Sequence, residues 1–158
     1  MNPKINIITE KKLVGKKVKM NLINNQTGVL WGSFALKIKN IKNRISTDKI
    51  SMQVYDKEYF REFNPTNDFE KWAAVEVESF DDVEKELETF ILQGGKYAVF
   101  EYKGSSNDNS IFQYIFTKWL PNSAYELDNR PHFEILGEKY KNNDPNSEEE
   151  IWIPIREK

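Results

Sequence analysis

The chain has 158 residues, of which 39% are hydrophobic, 13% aromatic and 30% charged, with a net charge of −2. That length suffices for one domain with a real core, and so many aromatics exclude a disordered chain. With no cysteine and a single histidine, His132, disulfides, thiolate metal centres, cysteine nucleophiles, multi-histidine metal sites and Ser/His triads are excluded together.

The first ten residues lack the apolar stretch of a secretory signal, and no window approaches the ~18 apolar residues of a membrane span. Together with the absence of cysteine, this predicts a cytoplasmic protein. Residues 1–49 carry eleven Lys/Arg against two Asp/Glu, and the remainder reverses the balance. Lys11, Lys12, Lys16, Lys17 and Lys19 come without an arginine cluster or interleaved aromatics, so they read as the solvated face of a strand, not a nucleic-acid surface.

In chain order, a strand is expected at 14–22. A helix follows at 27–44, where Leu30, Trp31, Phe34, Ile38, Ile41 and Ile45 recur at helical spacing. Strands are expected at 50–56 and 72–77, then a connector at 80–92. Gly94-Gly95 punctuates the chain before a strand at 96–103. A second helix is expected at 108–120, capped by Asp108 or Asn109 and stopped by Pro121. Strands at 132–136 and 150–155 close the chain, with a loop at 141–147 between them. Trp31 and Trp119 fall on helices and read as core. His132, after Pro131, reads as a surface turn.

The same strand-helix-strand-strand order thus occurs twice, at an offset of about 80 residues. The expected fold class is α+β, a single domain over 1–158 with halves of about 1–78 and 92–158. Two such modules pair into one antiparallel sheet with both helices on one face. The opposite face is expected to be a groove between the halves, where a small ligand sits.

Several residue runs carry a family resemblance. They are the segment from Gly95 to Gly104 (GKYAVFEYKG), Phe112 followed by Trp119-Leu120-Pro121-Asn122-Ser123-Ala124-Tyr125, then Arg130-Pro131-His132-Phe133-Glu134, and Glu150-Ile151-Trp152-Ile153-Pro154-Ile155. Leu30-Trp31, Phe34 and Trp72-Ala73-Ala74-Val75-Glu76-Val77 match upstream. Over about 12–156 the chain resembles the GyrI-like family, also called the AraC-type effector-binding domain. The resemblance implies the duplicated (SHS2-like) module and a small-molecule-binding function. In bacterial transcription regulators such a domain follows a helix-turn-helix and senses drug-like, often cationic lipophilic compounds; this chain resembles a stand-alone version.

Alternation in the last strand puts Glu150, Trp152 and Pro154 on the groove face and Ile151, Ile153 and Ile155 on the helix-covered face. An acid beside an aromatic ring is a cation-recognition pair, and the resemblance implies a ligand-contacting role for Glu150. Trp72 holds the equivalent place in the first half beside the small Ala74. Tyr55 is read on the same groove face as Met52 and Val54. Glu134 is a second candidate carboxylate, and Tyr97 or Tyr102 should face the groove.

The leading expectation is a binding module, a sensor or sequestering protein for a lipophilic or cationic small molecule, held by Glu150, Trp152, Trp72, Tyr55 and Glu134. One alternative is a hydrolase of reactive cyclopropane-type electrophiles, with Glu150 as base and a groove tyrosine such as Tyr55 or Tyr97 as acid. Another is a protein-partner binder such as a DNA gyrase inhibitor. No cofactor or metal is expected. The acidic run Glu148-Glu149-Glu150 lacks the EF-hand spacing, and Gly94-Gly95 precedes a strand, not a helix.

Overall fold

The computed structural model describes residues 2–158. Nine strands and two helical segments follow one another as β1 (Lys4–Ile8), β2 (Lys11–Met20), α1 (Thr27–Ala35), β3 (Lys49–Val54), β4 (Phe69–Val77), β5 (Glu88–Leu92), β6 (Gly95–Lys103), α2 (Ser110–Tyr114), β7 (Tyr125–Leu127), β8 (His132–Leu136) and β9 (Glu148–Glu157). All the pairings are antiparallel, in the order β1-β6-β9-β8-β3-β4-β2-β5, with β7 added alongside β9. The order is symmetric about the β3/β8 pairing: β2, β4 and β3 on one side mirror β6, β9 and β8 on the other.

Both helices lie on the same face. Leu30 and Phe34 of α1 pack on Val14, Ala73 and Val75, while Ile111 and Ile115 pack on Phe100, Ile151, Ile153 and Ile155. The first helix ends at Ala35, well before Arg44. A short 3-10 turn follows at Ile38–Asn40, and Asn43 adopts a left-handed φ of 66°, which no helix continues through. Ile38 and Ile41 still reach the same apolar cluster, so the spacing persists where the helix does not. Pro121 does not stop the second helix. The backbone widens into a π turn at Ile115–Trp119, and Pro121 sits in a final turn, Leu120–Asn122, where its missing N–H costs nothing.

The expected connector at 80–92 contains the edge strand β5, which covers β2. A matching strand, β1, covers β6. These two additions curl the sheet. β1 and β2 are joined by Thr9-Glu10 alone yet lie at opposite ends of the strand order, and Gln93-Gly94 likewise joins β5 to β6. A two-residue link spans no more than about 11 Å, so the two edges must meet. The links cross in contact: a Cβ on Gly94 would lie 2.3 Å from the Ile8 carbonyl oxygen. Glycine is needed there because backbone packs on backbone.

Curling explains how the face without helices is buried. Leu13, Ile50, Met52, Trp72, Leu92, Tyr97, Val99, Phe133 and Trp152 form one cluster drawn from both halves. Where the chain reaches solvent, the basic first third is matched by acidic neighbours, as in Lys11–Glu76, Lys17–Glu70, Lys17–Glu88 and Lys37–Glu84. No helix among the described residues is long and apolar enough to cross a membrane.

Candidate ligand-binding site

Inside the curl, Trp72 and Trp152 share one face with Glu70 and Glu150, as strand alternation requires. Each indole N–H donates to the glutamate two residues before it, Trp72 to Glu70 at 2.7 Å and Trp152 to Glu150 at 3.2 Å. The rings do not line an open groove, however. Trp152 stacks on Phe133 at 5.2 Å, Trp72 packs on Phe90 at the same separation, and both indoles are almost wholly buried. The meeting of the sheet edges turns the expected groove into a filled interior.

Tyr97 faces this interior and Tyr102 the helix side, a choice that alternation left open. The Tyr97 hydroxyl donates to the Pro131 carbonyl at 2.8 Å, and burial lifts its pKa to about 12 despite the nearby Arg130. Both features oppose a role as a proton donor.

Glu150 lies at the rim, half-buried, where a cavity of about 720 Å³ opens beside the start of β9. Its walls carry six carboxylates, Asp48, Glu101, Glu138, Glu148, Glu149 and Glu150, against Lys103 and Lys139, with Ile135 and Tyr102 as apolar surface. A concave wall of one sign concentrates ions of the other. Burial, and then the neighbouring Glu134, push the Glu149 carboxyl up to about 7, with Lys71 opposing.

Behind Glu149, on the helix-covered side of the central strands, lies a buried polar chain. Ser51 and Gln53 of β3 pair with Glu134 and His132 of β8 and with Ala73 and Lys71 of β4. Gln53, its amide oriented to suit both neighbours, donates to Glu134 Oε2 at 3.0 Å and accepts from Lys71 Nζ through its carbonyl oxygen. Burial lowers the Lys71 pKa, and Glu134 and Glu149 pull it back up. Burial raises that of Glu134, and Lys71 and Gln53 oppose the shift. Tyr140, from the loop between β8 and β9, lies within electrostatic reach of both glutamates.

Tyr55 is on this side as well, not beside Trp72. Residue 55 alternates with 53 and 51, so it shares their face, and its ring meets Tyr59 at 4.5 Å and His132 at 4.9 Å. Burial and Glu134 raise its pKa. His132 is no surface turn residue: it is 5% exposed, sandwiched against Phe60 at 5.3 Å, and burial holds its pKa down at about 3.

The structure therefore brings Glu150, Trp152 and Trp72 together on one face and Tyr55 and Glu134 on the other. Glu149, Lys71 and Gln53 escaped the sequence reading as site residues. Alternation held the signal for Lys71, which shares a face with Ala73, Val75 and Val77 and so points into the core.

A curled antiparallel sheet of two strand-helix-strand-strand modules defines the GyrI-like, AraC-type effector-binding class. Residues 3–155 match the family described as Cass2, integron-associated effector binding protein, and the chain belongs to that family. No curated protein sequence matches the chain significantly. Among solved structures, SAV2435 bound to tetraphenylphosphonium superposes with a TM-score of 0.72 at 17% identity, over 99% of this chain and 94% of that one. An integron cassette protein from the mobile metagenome of Vibrio cholerae gives 0.68 at 17% identity, over 98% and 96%. EcmrR in a complex with DNA gives 0.74 at 15% identity, over 99% of this chain and 58% of that one. These structures share the fold, and the family's function is binding small-molecule effectors.

Proposed function

We propose that the chain binds an amphiphilic cation in the acidic cavity beside β9 and serves as a sensor or sequestering protein for it. The observation that carries this reading is Glu149, a carboxyl in the cavity wall with a second carboxylate, Glu134, behind it and a single buried cation, Lys71, to offset the two. A ligand cation restores the balance that burial disfavours. Its apolar part rests on Ile135 and Tyr102, with Glu150 as the second contact on the rim. The tetraphenylphosphonium held by SAV2435 is a compound of this kind. EcmrR, which this chain matches over part of its length and which engages DNA, suggests that the output passes through a DNA-binding partner domain.

The hydrolase alternative gains nothing from Tyr97, whose hydroxyl is already engaged. Calorimetric titration with tetraphenylphosphonium tests the binding reading. Saturable binding is expected, weakened at least about tenfold by Glu149→Gln and less by Glu150→Gln. Absence of saturable heat, or variants that bind like the parent, would sink it.

A further inference from the structure

A buried lysine in the middle of a strand calls for an explanation, because burial works against its charge. Lys71 is 7% exposed and has its Nζ on the Gln53 carbonyl. The repeat shows that the fold does not require it. Glu70-Lys71-Trp72 and Glu150-Ile151-Trp152 occupy matching places on β4 and β9, and in the second copy a fully buried isoleucine stands where Lys71 stands in the first. An apolar residue at that position is what close packing favours.

What distinguishes the Lys71 position is what faces it. Gln53 donates its amide N–H to Glu134 and accepts a hydrogen bond from the Lys71 ammonium on its carbonyl oxygen, so that one neutral side chain couples the two charges. Beyond Glu134 the next titratable group toward the cavity is Glu149, which feels both: Glu134 raises its pKa and Lys71 lowers it. Three charged groups are thus in series, and the inner two balance.

We infer that Lys71 is a built-in counter-cation that takes Glu134 out of ligand recognition, making Lys71 the residue that sets how strongly the site selects for charge and Glu149 the carboxylate that meets the ligand. This rests on the reading of the cavity as the binding site and refines its ligand class. A cation is recognised by one inner carboxylate, and cation selectivity is held below what the two glutamates would give together. Lys71 contacts no ligand; it is a positioning residue acting through Gln53 and Glu134.

The experiment compares tetraphenylphosphonium with triphenylphosphine oxide, a neutral compound of similar shape, on the full chain. It is run at about pH 8.5, so that a carboxyl freed of its lysine ionises. Lys71→Met is expected to strengthen tetraphenylphosphonium binding roughly tenfold and to leave the oxide within about twofold. The double variant Lys71→Met/Glu134→Gln should return to the parent's ratio, and Lys71→Arg should keep it. A lysine with only a structural role would shift both ligands alike or neither, and either result overturns the inference. Should Lys71→Met fail to fold by circular dichroism, Lys71→Gln and Lys71→Arg carry the same comparison. If the parent ignores the cation but Lys71→Met binds it, the inference stands and the cationic reading of the parent falls. If neither binds it, the inference fails.

Discussion

The motif Glu-x-Trp occurs twice in the curled sheet, and its two surroundings differ. Around Trp72, the residue across the ladder is Lys17, whose Nζ sits 5.6 Å over the indole while it pairs with Glu70 and Glu88. Around Trp152, the corresponding residue is Val99, which carries no charge to lay across the ring. The first glutamate is thus covered by a resident cation, and the second opens onto the acidic cavity. The duplicated framework supplies two rims that differ twice over: a lysine covers the glutamate of the first, and Phe69 stands there where the second has Glu149.

The largest expected effect tests whether the tryptophans themselves differ. Trp72→Ala and Trp152→Ala should each lower stability by ~3–5 kcal/mol in denaturant unfolding, since both rings fill the interior. Only Trp152→Ala should also weaken tetraphenylphosphonium binding. Equal loss of binding in both variants would place the ligand inside the curl and erase the contrast.

Next in size is Gly94→Ala, which acts on both rims together by forcing the crossed links apart. Its Cβ would meet Ile8 and Thr9 backbone atoms at 2.3–3.0 Å, so a loss of ~1–3 kcal/mol in thermal or chemical unfolding is expected.

A smaller effect isolates the open rim. The Glu149 pKa is raised from 4.5 unfolded to about 7 folded. The folded state therefore holds that proton longer than the unfolded one, and the group's contribution turns against folding as pH climbs from 4.5 to 7, reaching its full cost above 7. After allowance for solvent screening the swing is ~1–2 kcal/mol, and Glu149→Gln should flatten it in a series of unfolding curves. Cation affinity should move the other way, rising through the same window as the carboxylate forms.

Least costly to the fold, and most pointed, is Lys17→Val, which gives the first rim the residue of the second. Stability should change by less than ~1 kcal/mol, because the ion pairs of Lys17 are exposed. Calorimetric stoichiometry should stay at one tetraphenylphosphonium, because Phe69 stands at the first rim where the second has Glu149. A second bound cation would mean that Lys17 alone separates the two rims and that Glu149 is dispensable.

Much of the fold was legible because its inner strands follow alternation closely: β8 matches the expected 132–136, β4 starts three residues before the expected 72, and β9 extends the expected 150–155 by two residues at each end. The edges were not legible. Lys4–Ile8 and Glu88–Leu92 are short, they leave Ile5, Ile7 and Ile91 exposed on their outward face, and their partners lie across the chain, so nothing local marks them as strands. Missing them meant missing the curl, and an open groove was the natural result. The site was half legible for a related reason. Glu150, Trp152 and Glu134 announced themselves as acids beside aromatics. Lys71 fell just outside the expected strand at 72–77, although its parity with Ala73, Val75 and Val77 placed it inward. Tyr55 was set on the wrong face although residues 51, 53 and 55 must agree.

The crossed links also bear on how the chain comes together. β1 finds its partner at Gly95–Val99, some ninety positions downstream, although it is synthesised next to β2. Neither half can complete its own sheet from its own sequence, since each borrows an edge strand from the stretch just before the other. The halves are stitched by exchange, as in a domain swap performed within one molecule. Such long-range pairing slows folding, because loop closure must precede the contacts that reward it. It also means that a half-formed copy offers a bare sheet edge, which a neighbouring chain's β1 or β5 is equally fitted to cover.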